Sequence, residues 1–448
     1  MPPQERAIND IAAELHQKLE TRTATIGIIG LGYVGLPLAQ AAHKAGYRVL
    51  GFDTDKEKVH KLNNGETYLH HLGDDLVTTL SDSDRFSATD MPDELGDADA
   101  ILLCVPTPLG PHREPDLSYV KISTELVSKI LRPGQLIVLE STTYPGTTRQ
   151  DMCPILERGE LVAGRDFFLA YSPEREDPGR ANTTTSTIPK LVGGTDKTSG
   201  DLAATMYRQM IDTVHLVSSA EVAEAAKLLE NIYRAVNIAM VNELKTVLSD
   251  MDIDIWEVIE AAATKPFGFQ AFYPGPGLGG HCIPIDPFYL TWKAKEIGRT
   301  TRFIELAGEV NAQMPAYVVS RVVSALNDHS RSLRGSRILL LGIAYKKNVD
   351  DIRESPAAEI IDLLTTSGAQ VVYHDPHVTE FPEMRHHDIH MTSVDLTENE
   401  ISKADAVVIV TDHDQVDYDL LGRCARLIVD TRNAMDRVAH PSAPINKA

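Results

Sequence analysis

The fold of this chain is indicated most clearly by residues 26–39, which read IGIIGLGYVGLPLA. An apolar run leads into a G-x-G-x-x-G turn formed by Gly30, Gly32 and Gly35, and an apolar helical stretch follows it. The next apolar run ends in Asp53, at the distance where an acidic residue binds the 2′-hydroxyl of an adenosine ribose. Together these features predict a dinucleotide site with the pyrophosphate at the N-terminus of the helix. The acid favours NAD, because it would repel the 2′-phosphate of NADP.

Three more apolar runs, residues 100–105, 136–140 and 167–171, follow at intervals that leave room for helices between them. This alternation predicts a parallel sheet with helices on both faces. Ligands bind beyond the carboxyl ends of the strands in such sheets, and polar turns follow all three runs here. The cofactor-binding residues predicted from the glycine turn, the acid and these turns are Gly30, Gly32, Tyr33, Val34, Gly35, Asp53, Val105, Pro106, Thr107 and Thr142.

The alternation restarts at Ser336 and predicts a second parallel α/β domain. Its first turn lacks the glycine pattern and carries Lys346, Lys347 and Arg353, cations suited to a phosphorylated ligand. We therefore expect two Rossmann-like, doubly wound parallel-sheet domains joined by a long central helix and a helical middle domain. The expected segments are an N-terminal amphipathic helix (1–22), an NAD-binding domain (23–216), a helical dimerisation domain with a cysteine loop (217–330) and the second Rossmann-like domain (331–448).

Composition disfavours several classes of partner. The formal net charge of −21 argues against nucleic acid and anionic membranes, since both require basic surface. No apolar run is long enough to cross a bilayer, and the charged N-terminus lacks the apolar core of a signal peptide. The four cysteines are far apart and form no CxxC pair, so neither a zinc site nor a disulfide framework is expected. We expect a cytoplasmic protein without a metal.

A long helix is predicted from about residue 220 to residue 251. A helix of this length usually forms a spine or a dimer interface. Lys227 and Asn231 lie four residues apart on one of its faces, so they can address the same ligand. By itself, such a pair would be interpreted as exposed to solvent.

The stretch GPGLGGHCIPIDP, residues 275–287, places a cysteine between glycines and a proline. Glycines let the backbone pass close to a ligand, and Pro284 suits the first turn of a helix. Cys282 would then lie near the positive end of that helix, which favours the thiolate, with Asp286 one turn further on. An isolated cysteine of this kind would be interpreted as inert, and His281 is interpreted as structural.

These residues resemble the UDP-glucose/GDP-mannose dehydrogenase family from Ile26 to about Met435. Residues 279–282 with Asp286 resemble the catalytic-cysteine motif of the family. Residues 274–290 are most similar to its UDP-N-acetylglucosamine 6-dehydrogenase branch, which supplies uronic acids for bacterial surface polysaccharides. Residues 346–355 resemble the family segment K-K-(x)n-D-x-R-E-S.

Three further residues are carried over from the resemblance. Lys227 and Asn231 fall where the family has its lysine and asparagine. The family pattern P-E-x-x-x-E departs here to PEREDP at residues 173–178, so only Glu174 is carried over and the role of the second acid stays open.

The resemblance implies how the ligands bind. The first domain would bind NAD, with Arg353 reaching toward it, and the last domain would bind the nucleotide of a UDP-sugar. The long helix would form much of the interface of a homodimer or a higher homo-oligomer. The implied substrate-binding residues are Glu174, Lys227, Asn231, Tyr273, Gly275, Gly277, Gly279, Tyr345, Lys346 and Arg432.

The implied reaction is a four-electron oxidation of the C6 hydroxymethyl group of a UDP-sugar, with two NAD and with a thiohemiacetal and a thioester on Cys282. Lys227 and Asn231 would stabilise the oxyanion. Asp286, Glu174 and Thr142 would position or activate water. Which carboxylate is the base stays open.

UDP-N-acetylglucosamine, which would give UDP-N-acetylglucosaminuronate, is the favoured substrate. UDP-glucose, UDP-N-acetylmannosamine, UDP-N-acetylgalactosamine and GDP-mannose remain alternatives, because the sequence does not place the pocket details that separate them. A two-electron hydroxyacid dehydrogenase would share the first domain and the long helix but would not need Cys282. A non-catalytic nucleotide-binding protein is the third alternative, and the candidate catalytic residues argue against it.

Overall fold

The computed structural model describes residues 3–69, 74–110, 112–175, 186–280, 282–384 and 387–448. The chain divides into two compact units, Met1–Glu230 with Phe288–Arg299 and Asn231–Pro287 with Thr300–Ala448. The four segments expected from the sequence stay a prediction. None of the helices in the described ranges has the length and apolar character needed to cross a bilayer.

The strands are β1 (Thr25–Ile29), β2 (Arg48–Phe52), β3 (Phe86–Thr89), β4 (Ala100–Leu103), β5 (Leu136–Leu139), β6 (Phe168–Tyr171), β7 (Lys190–Gly194), β8 (Val214–Leu216), β9 (Arg337–Leu341), β10 (Gln370–His374), β11 (Ala406–Ile409), β12 (Ile428–Asp430) and β13 (Ile445–Lys447). The α-helices are α1 (Pro3–Thr21), α2 (Gly35–Ala45), α3 (Lys56–Asn63), α4 (Asp74–Ser81), α5 (Ser118–Ile130), α6 (Cys153–Leu156), α7 (Lys197–Met210), α8 (Ala220–Ser249), α9 (Ile255–Ala263), α10 (Asp286–Glu296), α11 (Arg302–Asp328), α12 (Pro356–Thr366), α13 (Glu398–Lys403) and α14 (Tyr418–Cys424).

The first unit is built on a sheet whose described strands have the order β3-β2-β1-β4-β5-β6-β7-β8. Strands β1 to β6 are parallel, and β1, β4, β5 and β6 are almost fully buried because helices cover both faces. The chain returns from β3 across β1 to β4. The carboxyl ends of β1 and β4 therefore flank the switch point, where ligands bind in sheets of this kind.

Three strands of this sheet, β3, β7 and β8, were not predicted from the sequence. β7 pairs antiparallel with β6, and β8 runs parallel to β7. β7 ends in Gly193 and Gly194, which interrupt the apolar run by which a strand is recognised. A Cβ on Gly193 would lie 2.1 Å from the carbonyl oxygen of Ser219, so packing of the backbone requires the glycine.

The predicted N-terminal amphipathic helix is present as α1. Leu15 and Leu19 are buried in the core of the first unit, and Tyr47 Oη donates to the carbonyl oxygen of Leu19 at 2.6 Å. The side chain of Ile8, which contributes to the predicted pattern, lies outside the described part of the chain. α1 therefore packs on the body of its own unit.

The second unit is built on a five-stranded sheet with the order β10-β9-β11-β12-β13 among its described strands, and all of them are parallel. Strands β9, β11 and β12 are buried apart from one half-buried end, as their apolar sequences predict. The chain crosses from β10 over β9 to β11, which creates a second switch point. The predicted fold class, with two Rossmann-like doubly wound domains, is confirmed.

Candidate active site

The glycine turn after β1 leaves one side open to a ligand. Gly30 has a φ of 91°, and a Cβ there would lie 2.4 Å from the carbonyl oxygen of Cys104. A Cβ on Gly35 would lie 1.9 Å from the carbonyl oxygen of Gly30, so packing of the chain itself requires both glycines. Beyond its chain neighbours, Gly32 has no described atom within 4 Å of the place where its Cβ would stand. That space fits the close approach of a pyrophosphate.

Asp53 holds this turn from the end of β2. Its Oδ2 accepts a hydrogen bond from Leu31 N at 2.9 Å, and its Oδ1 accepts one from Asp55 N at 2.9 Å. Tyr33 and Val34 are half-buried, and Val34, the N-cap residue of α2, has no side-chain oxygen to accept from the first N–H groups of the helix. Leu36 N donates to the carbonyl oxygen of Gly32 at 3.0 Å and Pro37 has no N–H, so this end of the helix offers a phosphate the N–H of Gly35 and the positive end of the helix dipole. The residues present therefore fit the predicted dinucleotide.

Replacing Gly32 by alanine is expected to weaken NAD binding about tenfold or more while the thermal stability of the protein stays unchanged. The added methyl group meets no described atom of the chain, but it enters the space that a pyrophosphate needs. Calorimetric titration with NAD and thermal unfolding measure the two effects. Gly159→Ala is the matched control, because its Cβ also has no described neighbour within 4 Å. Equal NAD affinity of the two variants would contradict the assignment of Gly32.

Two side chains hold the turns after β4 and β5. Ser141 Oγ accepts from Val105 N at 3.0 Å and donates to Val105 O at 2.5 Å, which joins the two turns. Glu224 of α8 is buried and accepts from Gly146 N at 2.6 Å. Burial raises the pKa of Glu224, and its hydrogen bonds offset only part of that rise. Thr142 is half-buried in the turn after β5. Pro106 and Thr107, which were also predicted to bind the cofactor, lie in the turn after β4.

Glu174 and Lys227 form a buried pair in the first unit. Lys227 Nζ donates to the carbonyl oxygen of Glu174 at 2.5 Å and lies 3.7 Å from its Oε2. Glu174 follows β6, and Lys227 is on α8. Glu176, the displaced second acid of this segment, lies outside the described residues. A cavity beside Glu174 is lined by Val34, Leu38, Glu140, Glu174, Arg175, Ile188, Pro189 and Lys190.

Glu140, at the end of β5, is a buried carboxylate that the sequence analysis did not select. Lys190 Nζ lies 2.5 Å from its Oε2, and Tyr207 Oη donates to its Oε1. Burial and the adjacent carboxylate raise the pKa of Tyr207 well above its usual value, so the phenol stays a donor. A glutamate placed directly after an apolar run is the signal that could have identified it.

In the second unit, one helical turn joins Cys282 to Asp286. Asp286 N and Ile285 N both donate to the carbonyl oxygen of Cys282, at 2.8 and 3.2 Å. α10 begins at Asp286, directly after the turn that contains Pro284. Cys282 still precedes the N-terminus of a helix, where the backbone dipoles favour a thiolate. His281 lies outside the described residues.

Asp286 is held by Asn231 of α8. Asn231 Nδ2 donates to Asp286 Oδ2 at 2.6 Å, and both residues are buried. The predicted catalytic residues thus include two bonded pairs, Glu174 with Lys227 in the first unit and Asn231 with Asp286 in the second. Cys282 is half-buried on the turn before Asp286.

The glycines before the cysteine make room for side chains of the second unit. A Cβ on Gly275 would lie 2.6 Å from Nη1 of Arg432, and one on Gly279 would lie 2.5 Å from the Cβ of Tyr345. Gly280 has a φ of 82° and faces the ring of the same tyrosine. The interpretation of this loop as a backbone cradle for a sugar stays a prediction. Close approach of Arg432 and Tyr345 is a second physical reason for the glycines.

A buried acid fixes the loop that carries Tyr345. Asp375, at the end of β10, accepts from Ile343 N at 2.7 Å, as Asp53 accepts from the first turn of the other unit. His413 Nε2 donates to the same carboxylate at 3.1 Å. Burial by itself would raise the pKa of Asp375, but the hydrogen bonds from His413 and the backbone hold it below its usual value.

Arg353 forms hydrogen bonds with the glycine-rich loop before Cys282, called here the cysteine loop, and with its own turn. Its carbonyl oxygen accepts from Gly280 N at 2.9 Å. Its Nε donates to the two carboxylate oxygens of Asp351 at 2.9 and 3.0 Å, and the side chain remains exposed. The other predicted substrate residues of this unit are Tyr273, which is exposed, and Gly277 and Lys346, which are half-buried.

Family models match three consecutive parts of the chain. They describe the UDP-glucose/GDP-mannose dehydrogenase family, with its NAD binding domain at residues 24–211, its central domain at 221–313 and its UDP binding domain at 339–437. The chain belongs to this family. The predicted enzyme class, an NAD-dependent UDP-sugar dehydrogenase, and the predicted cofactor are confirmed.

Named members of the family share the enzyme class but differ in the sugar. UDP-N-acetyl-D-glucosamine 6-dehydrogenase of Pseudomonas aeruginosa is 37% identical over 366 residues, which are 81% of this chain and 85% of that protein. NDP-N-acetyl-D-galactosaminuronic acid dehydrogenase of Ralstonia nicotianae is 33% identical over 425 residues, 91% of this chain and 95% of that protein. The solved structure of UDP-D-ManNAc dehydrogenase from Pyrococcus horikoshii has a TM-score of 0.84 at 31% identity and covers 94% of this chain and 98% of that one.

Sequence reasoning missed most of the polar face of α8 in this member of the UDP-glucose/GDP-mannose dehydrogenase family. Counting about 100° per residue, five buried polar residues fall within a sector of about 60°. They are Glu224, Lys227, Asn231, Asn242 and Lys245. Asn242 Oδ1 accepts from Gly275 N at 2.9 Å. The recurrence of polar residues on one face of a largely apolar helix is the signal that could have found them.

Proposed function

We propose that the protein is a 6-dehydrogenase that oxidises the C6 hydroxymethyl group of a UDP-sugar to a carboxylate, with UDP-N-acetylglucosamine as the favoured substrate. The observation that carries this proposal is the turn from Cys282 to Asp286 in a chain with an NAD binding domain. Oxidation of an alcohol to an aldehyde needs no thiol, but oxidation of the aldehyde does gain from one. The identity with a UDP-N-acetyl-D-glucosamine 6-dehydrogenase supports the choice of sugar.

The thiol makes the second oxidation possible by adding to the aldehyde. An aldehyde carbon has to become tetrahedral before it can lose a second hydride. Attack of the Cys282 thiolate on the aldehyde forms a C–S bond and a thiohemiacetal, whose oxidation leaves a thioester. Water then attacks the thioester, the C–S bond breaks, and the uronic acid leaves with the thiol restored. Two NAD molecules, bound one after the other, would each accept one of the two hydrides that the oxidations of the alcohol and of the thiohemiacetal remove.

The polar residues of the candidate active site have two proposed roles, stabilisation of the oxyanion and activation of water. Lys227 and Asn231 stabilise the oxyanion of the thiohemiacetal by charge and hydrogen bonding. Asp286 and Glu174 are the candidates for activating water, with Thr142 positioning it. Asn231 orients the carboxylate of Asp286 by a hydrogen bond, and the ammonium of Lys227 lies 3.7 Å from the carboxylate of Glu174. Separate substitution of Asp286 and Glu174 distinguishes the base.

The cysteine loop also supports the proposed substrate contacts. Arg432 and Tyr345 lie against its glycines, and Arg353 accepts a hydrogen bond from Gly280. A sugar nucleotide bound by these side chains and by Lys346 would be next to the loop that holds the nucleophile. The remaining proposed contacts come from the loop itself, at Tyr273, Gly275, Gly277 and Gly279, and Arg353 would reach toward NAD.

The test is a panel of sugars assayed for NADH release together with the mass of the product. UDP-N-acetylglucosamine is expected to give two NADH per sugar and the uronic acid. If the enzyme prefers UDP-glucose, an N-acetyl epimer or GDP-mannose, the proposed substrate is wrong but the proposed reaction stands. One NADH per sugar would contradict the four-electron reaction and favour a two-electron dehydrogenase. Binding without NADH from any sugar would contradict the proposed reaction.

We further propose that α8 forms a homodimer or higher homo-oligomer interface. The face opposite its polar residues is apolar and exposed, which is the reverse of a helix on the surface of a monomer. The exposed apolar residues of this face, defined here as the α8 stripe, are Val222, Leu229, Tyr233, Met240, Leu244 and Val247. A second copy of the chain would cover them. The cytoplasmic location and a role in surface polysaccharide synthesis stay predictions.

Replacing both Leu244 and Val247 by glutamate is expected to convert the oligomer to a monomer, because like charges would then meet across the interface. Light scattering on a sizing column measures the mass. Val323→Glu is the control, since Val323 is an equally exposed apolar residue of α11 outside the stripe. An unchanged mass for the double variant would exclude the stripe as the interface.

A further inference from the structure

Lys245 is a buried lysine for which the proposed reaction has no role. It lies on the polar face of α8, five turns beyond Lys227 at about 3.6 residues per turn, and it is 3% exposed. Its Nζ has no hydrogen-bond partner among the described residues, and it lies 5.2 Å from the centroid of the Tyr317 ring. An ammonium group has three donors, and burying them without acceptors is unfavourable. Such a group in a folded protein calls for a physical explanation.

The charged groups around Lys245 are mostly cations. Burial, followed by the charges of Arg432 and Arg321, lowers the pKa of Lys245 to about 7, although Asp430 opposes the shift. Arg321 is on α11, and its Nε is also buried without a hydrogen-bond partner in the described part of the chain. Asp430, at the end of β12, already accepts from backbone N–H groups, including Arg432 N at 2.9 Å. Two neighbouring cations therefore have buried donors that lack an acceptor.

This cation cluster, Lys245 with Arg321 and Arg432, adjoins the loop before the cysteine. Arg432 stands against Gly275, where a Cβ would lie 2.6 Å from its Nη1. Asn242, one turn before Lys245 on α8, accepts from the backbone N of the same glycine at 2.9 Å. Arg432 also belongs to the residues matched by the UDP binding domain of the family. The cluster thus lies within the second unit, beside residues already proposed to contact the nucleotide.

We propose that Lys245 is a ligand-binding residue whose ammonium, with the guanidinium groups of Arg321 and Arg432, takes the diphosphate of the nucleotide sugar. This rests on the proposed function, which makes the ligand a nucleoside diphosphate. Phosphate oxygens supply the acceptors that Lys245 Nζ and Arg321 Nε lack, and guanidinium groups match them in shape and charge. Three cations also offset the charge of a diphosphate in a chain whose net charge is −21.

Lys245→Met is expected to raise the Kd of UDP about 10- to 100-fold and to leave the Kd of NAD unchanged. Methionine keeps the length of the side chain and its contact with Tyr317, but it removes the charge and the donors. Lys245→Arg keeps a cation and is expected to recover most of the affinity. Calorimetric titrations with UDP and with NAD measure both constants. A Kd of UDP within about threefold of wild type for Lys245→Met would overturn the proposal.

Proton uptake separates ligand binding from a structural role of Lys245. A diphosphate beside the ammonium raises its pKa from the unliganded value of about 7, so binding at about pH 8 takes up a proton. UDP has lost its last proton by that pH, since a phosphate has a second pKa of about 6. Titrations in two buffers of different ionisation enthalpy measure the uptake. It is expected for wild type and absent in both Lys245→Met and Lys245→Arg, and its absence from wild type would contradict the proposal.

These titrations need no turnover, so their outcome is independent of the sugar panel. If the enzyme is active and Lys245→Met binds UDP as tightly as wild type, this inference is refuted and the proposed function stands. If the protein is inactive with every sugar and Lys245→Met binds UDP more weakly than wild type, the proposed function is refuted and this inference stands.

Discussion

Cys282→Ser is expected to lower the rate of uronic acid formation roughly a thousandfold or more and to reduce the yield from two NADH per sugar to one at most. A serine hydroxyl is almost entirely protonated near neutral pH, so it attacks an aldehyde far more slowly than a thiolate does. The substitution is nearly isosteric and keeps the backbone bonds from Ile285 and Asp286 to residue 282. Loss of activity would therefore reflect the nucleophile rather than the turn. NADH absorbance with mass spectrometry of the sugar nucleotide measures both quantities.

Cys153→Ser is the matched control for this experiment. Burial raises the pKa of Cys153 to about 11, so this residue is a protonated thiol at neutral pH and a poor nucleophile. Its replacement is expected to leave rate and stoichiometry unchanged. Full acid production with two NADH per sugar by Cys282→Ser would refute the covalent mechanism, and the turn would then have only a structural role.

Lys227→Met is expected to lower kcat about 100- to 1,000-fold, the usual effect of removing one donor that stabilises an oxyanion. The ammonium is buried, where a charge acts strongly because little water screens it. Its bond to the carbonyl oxygen of Glu174 fixes its position before substrate binds. The effect should fall on kcat more than on the KM of NAD, because the oxyanion exists only during the reaction. Steady-state kinetics with NAD and with the UDP-sugar measure kcat and both KM values.

Lys129→Met controls for the loss of a lysine from the first unit, since Lys129 is exposed on α5. That variant is expected to behave as wild type. Thermal unfolding of Lys227→Met checks that the folded state persists. A kcat within about threefold of wild type in a folded Lys227→Met protein would remove this residue from the proposed mechanism.

Local patterns in the sequence predicted the elements that depend on local physics. The turn of Gly30, Gly32 and Gly35 and the acid at Asp53 are close in sequence, and their bonds follow from a strand, a tight turn and a second strand. The four-residue spacing from Cys282 to Asp286 predicted a helical turn for the same reason. Apolar runs predicted the buried strands because both faces of a parallel sheet are covered.

Contacts between distant parts of the chain were not visible in this way. β7 was missed because glycines break its apolar run, and β3, β8 and β13 were missed because each is a short run interrupted by polar residues. Glu224 and Glu140 have partners 78 and 50 residues away, at Gly146 and Lys190. No spacing rule connects residues so far apart, because packing of the whole unit determines which of them meet.

The sequence by itself determined the dinucleotide turn, most strands of the two sheets and the turn that carries Cys282, since hydrophobic periodicity and short-range spacing encode each of them. Only the tertiary structure decided what the glycines of the cysteine loop are for within the chain. Gly275 and Gly279 admit Arg432 and Tyr345, which come from a different part of the sequence. Only the tertiary structure, likewise, placed Lys245 beside Arg321 and Arg432, because burial and the absence of a described hydrogen-bond acceptor are properties of the packed unit.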